Sequence, residues 1–474
     1  DLRRSAPPVH SSACFGSRMA WHRAARPLLQ TRVRQLSSVP DYLINVPAPA
    51  VSSLGSGVRL VAEDTGGNTA TVGVFVDVGS RYDNAVDSGL ANLAAQASLA
   101  GIPMAEKAKL GGHFSAVVDR EKTVLSATVL KKDAAKALEL LASCVQAPVV
   151  PASLECEKAG VVAALQAQRE APETAIFEHL HNTAYLDTSM GLPVLGSYGS
   201  VTALTAEDVD KFRATHYTAD RTVVAAAGMS SEDLSAAAAA FGSLPPSASA
   251  GGAVEVAAAP AVFTGSDIRM RFDSMPETSV ALAFEIPGWN SPEVVHYMAL
   301  AECIGSWEKS SQKRNNAWQV FLQNITEEEC VGTKAHAFLQ LYKDTGLFGI
   351  FGMMGDNRNE EFMYYATLNL TRLCHRLTDT ESKFAKSSLK AKLLAEQDGD
   401  VALCNTMGEQ MLYLGRRVTL AEMFARVDSL TTAELRKAAF DVLSDQEHAL
   451  AAVGPIYELP DYNWIRRRSF WLRY

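Results

Sequence analysis

Residues 204–228 read LTAEDVDKFRATHYTADRTVVAAAG, and residues 430–454 read LTTAELRKAAFDVLSDQEHALAAVG. Each opens on a threonine suited to cap a helix, Thr205 or Thr431, with acids in the first turn. Each then follows an amphipathic helical pattern and closes on an apolar, strand-like run ending in glycine, Gly228 or Gly454. A second pair stands upstream in the same order. TVGVFVDVGSR at 71–81 and SVALAFEIPGW at 279–289 are apolar strand patterns that end near a glycine and lead into a helix. Two correspondences in one order predict an internal duplication.

A chain of 474 residues is long enough for two or three domains. Between the copies lies FGSLPPSASAGGAVEVAAAPAV, residues 241–262, whose single charge is Glu255. Its composition predicts an extended, mobile connector. The expected division is a first domain at 45–242, a linker at 243–262 and a second domain at 263–474. Within the first half the patterns predict strands at 58–62, 71–78, 113–119, 123–130 and 222–227. Helices are expected at 88–99, 134–147, through 155–186, and after Thr205. The strands GHFSAVVDREKTVLSATVL form a hairpin turning at Asp119–Lys122. Paired strands with helices grouped between them predict an α+β fold, with a mixed sheet in each half, rather than a doubly wound parallel sheet.

The apolar fraction, 47%, suits a folded globular protein, and no run of 18 uncharged apolar residues predicts a direct membrane span. The first forty residues carry seven Arg, no Lys and one acid, Asp1. This basic, serine-containing start predicts a mitochondrial transit peptide over 1–38, cut near 35–39. The remainder holds 37 Lys and Arg against 52 Asp and Glu, a net charge near −15. That excess argues against a nucleic-acid surface. Seven cysteines lie singly, at 14, 144, 156, 303, 330, 374 and 404. The scatter suits a reducing compartment and argues against a structural zinc site or an iron–sulfur cluster.

Several segments together resemble the M16 metallopeptidase family in its mitochondrial branch. They are VGSRYDNAVDSGLANL, DREKTVLSATVLKKDAAKALELLA, IFEHLHNTAYLDTSMGLPVLGS and LTAEDVDKFRATHY in the first half. CIGSWEKS, YKDTGLFGIF, MGEQMLYLGRR and LPDYNWIRRRSFWLRY follow in the second. The branch includes the subunits of the matrix processing peptidase and the core proteins of the cytochrome bc1 complex. The second-half segments are most similar to the group joining the peptidase β subunit and core protein 1. A glycine-rich loop typical of the peptidase α subunit would follow Cys303–Trp307, where this chain has EKSSQKRNNAW. The resemblance implies two homologous halves arranged as a clam shell around a cavity.

Active members of the family carry H-x-x-E-H on the first helix. Residues i and i+4 share a helix face, so two histidines can hold one zinc ion while the glutamate activates its water. The resemblance places that motif on Asn92-Leu93-Ala94-Ala95-Gln96 and the distal glutamate on Ala164, with Glu157 the nearest retained acid. Both histidine positions are then amides, Asn92 and Gln96. The base position is Ala95. Amides are poor zinc ligands and alanine moves no proton. No catalytic residue, metal site or cofactor is therefore expected in this chain.

Other candidates are weaker. His179 and His181 stand at i and i+2, on different faces of a helix. His113 follows Gly111-Gly112 at a strand start without the Lys-Ser/Thr of a phosphate loop. The run Glu327-Glu328-Glu329 reads as a solvated face.

The resemblance implies a catalytically silent core subunit of the mitochondrial cytochrome bc1 complex, a scaffold on the matrix side of the inner membrane. Its partners would be a core-2-like M16 subunit, cytochrome b, cytochrome c1 and other subunits. The alternatives are a processing-peptidase β subunit that cleaves presequences and an auxiliary subunit that only binds them. The terminal WIRRRSFWLRY mixes aromatics with arginine, the residue types favoured as interface anchors.

Overall fold

The computed structural model describes residues 49–246, 259–310, 319–325 and 331–470. The segment read as a transit peptide, Cys14, Cys330, the Glu327–Glu329 run, residues 247–258 of the connector, residues 311–318 and the last four residues lie outside the described residues.

The first half builds one sheet from β1 (Ala50–Ser53), β2 (Arg59–Glu63), β3 (Thr69–Val76), β4 (His113–Val118), β5 (Thr123–Leu130) and β6 (Thr222–Ala227), in the order β1-β2-β6-β3-β5-β4. The second half builds another from β7 (Asp267–Arg271), β8 (Glu277–Pro287), β9 (Ser306–Glu308), β10 (Gly332–Leu341), β11 (Thr345–Gly355) and β12 (Ala449–Gly454), in the order β7-β12-β8-β11-β10-β9. Without the edge strands β1 and β9 the two orders coincide. Each sheet has one parallel pair, β2 with β6 and β7 with β12, and is otherwise antiparallel. This is the duplicated α+β design that the sequence predicts.

The repeated 25-residue stretches fold alike. Thr205 caps helix Ala206–His216 by accepting from the Asp208 amide, while the Asp208 carboxylate accepts from the Thr205 amide. Thr431 and Glu434 make the same reciprocal box on helix Thr432–Leu443. Such caps are worth about 1 kcal/mol each. The closing glycines both sit at positive φ, 81° at Gly228 and 124° at Gly454. A Cβ would lie 2.5 Å from the Thr69 carbonyl oxygen in one half and 2.7 Å from that of Glu277 in the other. Each glycine thus closes on the first residue of its central strand, β3 or β8.

Both faces of both sheets are covered, and the halves share the work. On the first sheet, Val72, Val74, Val76, Val224 and Ala226 face helices of their own half, Leu90–Ala100 and Ala134–Gln146 among them. The opposite face carries Val61, Phe75, Val124, Val223, Ala225 and Ala227. It is covered by helix Asp400–Tyr413 from the second half, through Leu403, Cys404, Met407 and Met411. The second sheet is treated reciprocally. Helix Pro172–Ala184 from the first half lays Ile176, Leu180 and Ala184 on Ala281, Ala283, Ala449 and Ala451. Strict alternation along β6 and β12 sends neighbouring residues to the two different cores.

Some boundaries differ from expectation. The helices expected through 155–186 begin earlier, at Pro151, and are divided as Pro151–Glu170 and Pro172–Ala184 because Pro172 cannot extend the first. Strand β1 and helix Met104–Leu110 were not legible in the pattern. Part of the stretch read as a mobile connector is packed. Phe241 is fully buried, Leu244 joins the first core, and Ala259 and Ala261 are hydrogen-bonded at the seam. Cys144, Cys303, Cys374 and Cys404 are buried, whereas Cys156 is exposed. Among the described residues no single helix is long and apolar enough to cross a membrane. The pair Lys131–Gln146 and Pro151–Glu170 is together long and apolar enough, but it bends by 98° and supplies Leu138, Leu141, Leu154 and Val161 to the first core.

Candidate functional site

Helix Leu90–Ala100 follows the 3-10 turn Ser80–Tyr82 and is anchored at its start by Asp83. Oδ2 of Asp83 accepts from the Gly89 amide at 3.0 Å and Oδ1 from the Ala91 amide at 3.0 Å. Burial raises this carboxyl to a pKa of about 7, against the two amide bonds, which favour its charged form. The helix then packs on β4, β5 and helices Ala134–Gln146, Pro151–Glu170 and Ala206–His216. So many contacts on a short helix explain its small side chains.

The four positions implied by the resemblance can now be placed. Asn92 is 5% exposed and Ala95 is wholly buried within the first core. Gln96, half-buried, donates from Nε2 to the Ala116 carbonyl on the edge strand β4 at 3.3 Å. Ala164 lies on helix Pro151–Glu170, which packs against helix Leu90–Ala100 through a face carrying Leu154, Lys158 and Val161. Ala164 itself is exposed, and Glu157 is half-buried. Two amides, one already committed to a backbone carbonyl, and two methyl groups make no ligand set for a zinc ion. Among the described residues no group of three His, Cys, Asp or Glu could hold a metal.

The remaining histidine candidates separate. His181 is fully buried, with Nδ1 at 2.6 Å from the Phe177 carbonyl and Nε2 at 2.7 Å from the Tyr342 hydroxyl across the seam. Burial holds its pKa well below the usual value. His179 is half-buried on the neighbouring face, and His113 is exposed.

The densest charged chemistry lies where the β4–β5 turn meets the β10–β11 turn. Arg81 reaches Glu121 at 2.5 Å and binds both oxygens of Asp344, at 2.8 and 2.7 Å. Its Nη2 also donates to the Ala259 carbonyl. The Lys343 amide donates to Glu121 at 2.9 Å, and its ammonium pairs with Asp77. Partial burial pushes the Asp344 carboxyl up, but the Arg81 hydrogen bonds outweigh it and hold the pKa at about 2. This network spans both halves and joins turns more than 200 positions apart. It was carried in the sequence by the complementary tips DREK and YKDT, which are legible as charged turns but not as partners.

Beside it the halves enclose a cavity of about 760 Å³. Asp119, Arg120 and Lys122 line it from the first half. The larger share comes from the second half, including Trp289, Leu339, Gln340, Leu389, Glu396 and Tyr413. Trp289 and Tyr413 lie nearly parallel, with ring centres 6.2 Å apart. None of Asn92, Ala95, Gln96 or Ala164 lines this space.

The described part of the C-terminal segment is folded onto the second half. Ile465 is buried, Arg466 pairs with Asp445 and Glu447, and Arg468 lies over the rings of Trp464 and Tyr364.

The chain belongs to the M16 peptidase family. Residues 59–197 match Insulinase (Peptidase family M16), and residues 203–389 match the Peptidase M16 inactive domain. The mitochondrial-processing peptidase subunit beta of Homo sapiens is 31% identical, over 94% of this chain and 92% of its own length. The probable mitochondrial-processing peptidase subunit beta of Arabidopsis thaliana is 32% identical, over 92% and 83%. Cytochrome b-c1 complex subunit 1, mitochondrial, of Homo sapiens is 31% identical, over 94% and 95%. Among solved structures, a chain of complex III2 from Candida albicans with Inz-5 bound shares the fold, with a TM-score of 0.80 and 24% identity over 89% of this chain and 99% of that one.

Proposed function

We propose that this chain is a catalytically silent core subunit of the mitochondrial cytochrome bc1 complex, with the zinc motif of its family lost. The observation that carries the reading is helix Leu90–Ala100. It presents Asn92, Ala95 and Gln96 where the family resemblance calls for His, Glu and His. Similarity to human cytochrome b-c1 complex subunit 1 over nearly the whole of both chains supports it. So does the Gln96 bond to β4, which gives that side chain a structural task. In this role the chain contributes surface and bulk on the matrix side of the inner membrane. It pairs with a core-2-like M16 subunit and supports cytochrome b and cytochrome c1, holding no cofactor of its own. The domain boundaries 45–242 and 263–474, with a transit peptide at 1–38, belong to the same proposal.

A second reading, a β or non-catalytic subunit of the processing peptidase, is favoured by stronger similarity to processing-peptidase β subunits in several organisms, 31–32% identical. Two measurements divide the readings. Native purification is expected to recover the chain with haem-containing subunits, and elemental analysis of the isolated chain to find zinc far below one ion per chain. Stoichiometric zinc, or migration with a soluble peptidase free of haem, would transfer the assignment to the second reading.

A further inference from the structure

The seam cavity has a chemistry of its own. Its volume, about 760 Å³, is within the range of small-molecule sites. Trp289, Met298, Leu339, Leu389, Leu393 and Met423 give it apolar walls. Every base on its lining already has a carboxylate. Lys122 pairs with Glu409 at 2.6 Å, Arg120 with Glu178 at 2.7 Å, and Lys392 with Glu302 at 3.4 Å. The acceptors are not so matched. Among the described residues the Glu396 carboxylate, at the mouth, has neither an ion pair nor a hydrogen bond. Deeper in, Oε1 of Gln340 is buried without a donor. A buried acceptor left empty is costly, and water or a ligand donor must relieve it.

We propose that this cavity binds a small organic cation, an ammonium or guanidinium carried on an apolar body. The body lies against the leucine wall and the Trp289–Tyr413 pair. The donors of the head serve Glu396 and Gln340, and its charge is compatible with the aromatic faces. An anion of the same shape would meet Glu396 with no free base to receive it.

Calorimetric titration of the full chain with phenylbutylammonium and phenylbutanesulfonate tests this directly. The expected result is saturable one-site binding of the cation, with the sulfonate at least about tenfold weaker. Glu396→Gln is expected to weaken the cation about tenfold, as befits one charge-assisted bond at a partly exposed mouth. Gln340→Leu is expected to weaken it severalfold. Glu396 is exposed, so its variant keeps the fold even if Gln340→Leu does not. Equal binding of both probes, no saturable binding, or cation binding untouched by Glu396→Gln would overturn the proposal.

Discussion

Gly79 and Gly288 hold the same place in the two halves. Each follows its central strand and presses its α-carbon against the tip of the neighbouring hairpin. A Cβ would stand 2.3 Å from the Asp119 carbonyl oxygen at Gly79, and 2.4 Å from that of Tyr342 at Gly288. The next amides complete the match, Ser80 donating to Asp119 and Trp289 to Tyr342. The two halves have therefore kept not only their strand order but a matching close backbone approach.

The obstacles at these glycines are backbone atoms, which cannot swing aside. Gly79→Ala and Gly288→Ala are each expected to destabilise by about 1–3 kcal/mol in urea unfolding. Gly199→Ala, in helix Tyr198–Ala203 with nothing within 4 Å of the new methyl, is expected to be neutral or slightly stabilising. Equal losses at all three positions would contradict the close-approach argument.

Arg81 is buried between two carboxylates, and Glu121 beside it is only 2% exposed. Arg81→Met strands that carboxylate and is expected to cost about 3–5 kcal/mol. The double variant Arg81→Met/Glu121→Leu removes both buried charges and is expected to recover much of the loss. A double-mutant cycle by chemical denaturation checks this; additive losses would show that the pair is not coupled.

Each sheet leaves one face for the other half to cover, so the halves complement one another. The chain cleaved within residues 247–258 is expected to remain a single species on size exclusion. The first part expressed alone would expose Phe75, Val61, Val124 and Val223 and is expected to aggregate. Soluble, monomeric first-half protein would show that the exchanged helices are dispensable.

Three buried histidines, His181, His216 and His448, make the fold acid-sensitive. Burial lowers His216 and His448 to pKa values of about 4, so between pH 6.5 and 4 the unfolded chain holds protons that the native one lacks. Their contribution is intact above pH 6.5 and is lost as pH falls through that window. Asp83, raised to about 7, acts in the opposite sense, since its stabilising proton is released as pH rises through the range from 4 to 7. The comparison is therefore best made by variant. His448→Leu is expected to reduce the proton uptake on unfolding by about one in this range. An unchanged pH slope would mean that His448 is not held neutral.

What the sequence revealed follows from the range of the interactions. Capped helices, period-two strands and the repeat of Leu204–Gly228 in Leu430–Gly454 are local signals, and they foretold five strands of the first sheet but only β8 and β12 of the second. Helix Pro172–Ala184 was legible only as part of the helical stretch through 155–186, and an apolar helix face reads the same whichever sheet receives it. Its exchange for Asp400–Tyr413 was hidden for that reason. Strand β1 has mostly exposed residues and no alternation to announce it. Phe241 was masked by the glycines, serines and prolines around it. The positions of Asn92, Ala95 and Gln96 came from the family resemblance, and helical periodicity added only that Asn92 and Gln96 share a face. The cavity was not, because its walls come from segments as distant as Asp119 and Met423.

The helix exchange also sets a timetable for synthesis. The first sheet is complete once β6 has left the ribosome, yet Phe75 and its neighbours stay bare until Met407 and Met411 arrive. At typical rates of translation that interval is roughly ten to forty seconds. The nascent chain must carry an open, sticky sheet through that wait, which makes it a natural client for chaperones that shield apolar surface until helix Asp400–Tyr413, in the last sixth of the polypeptide, is made.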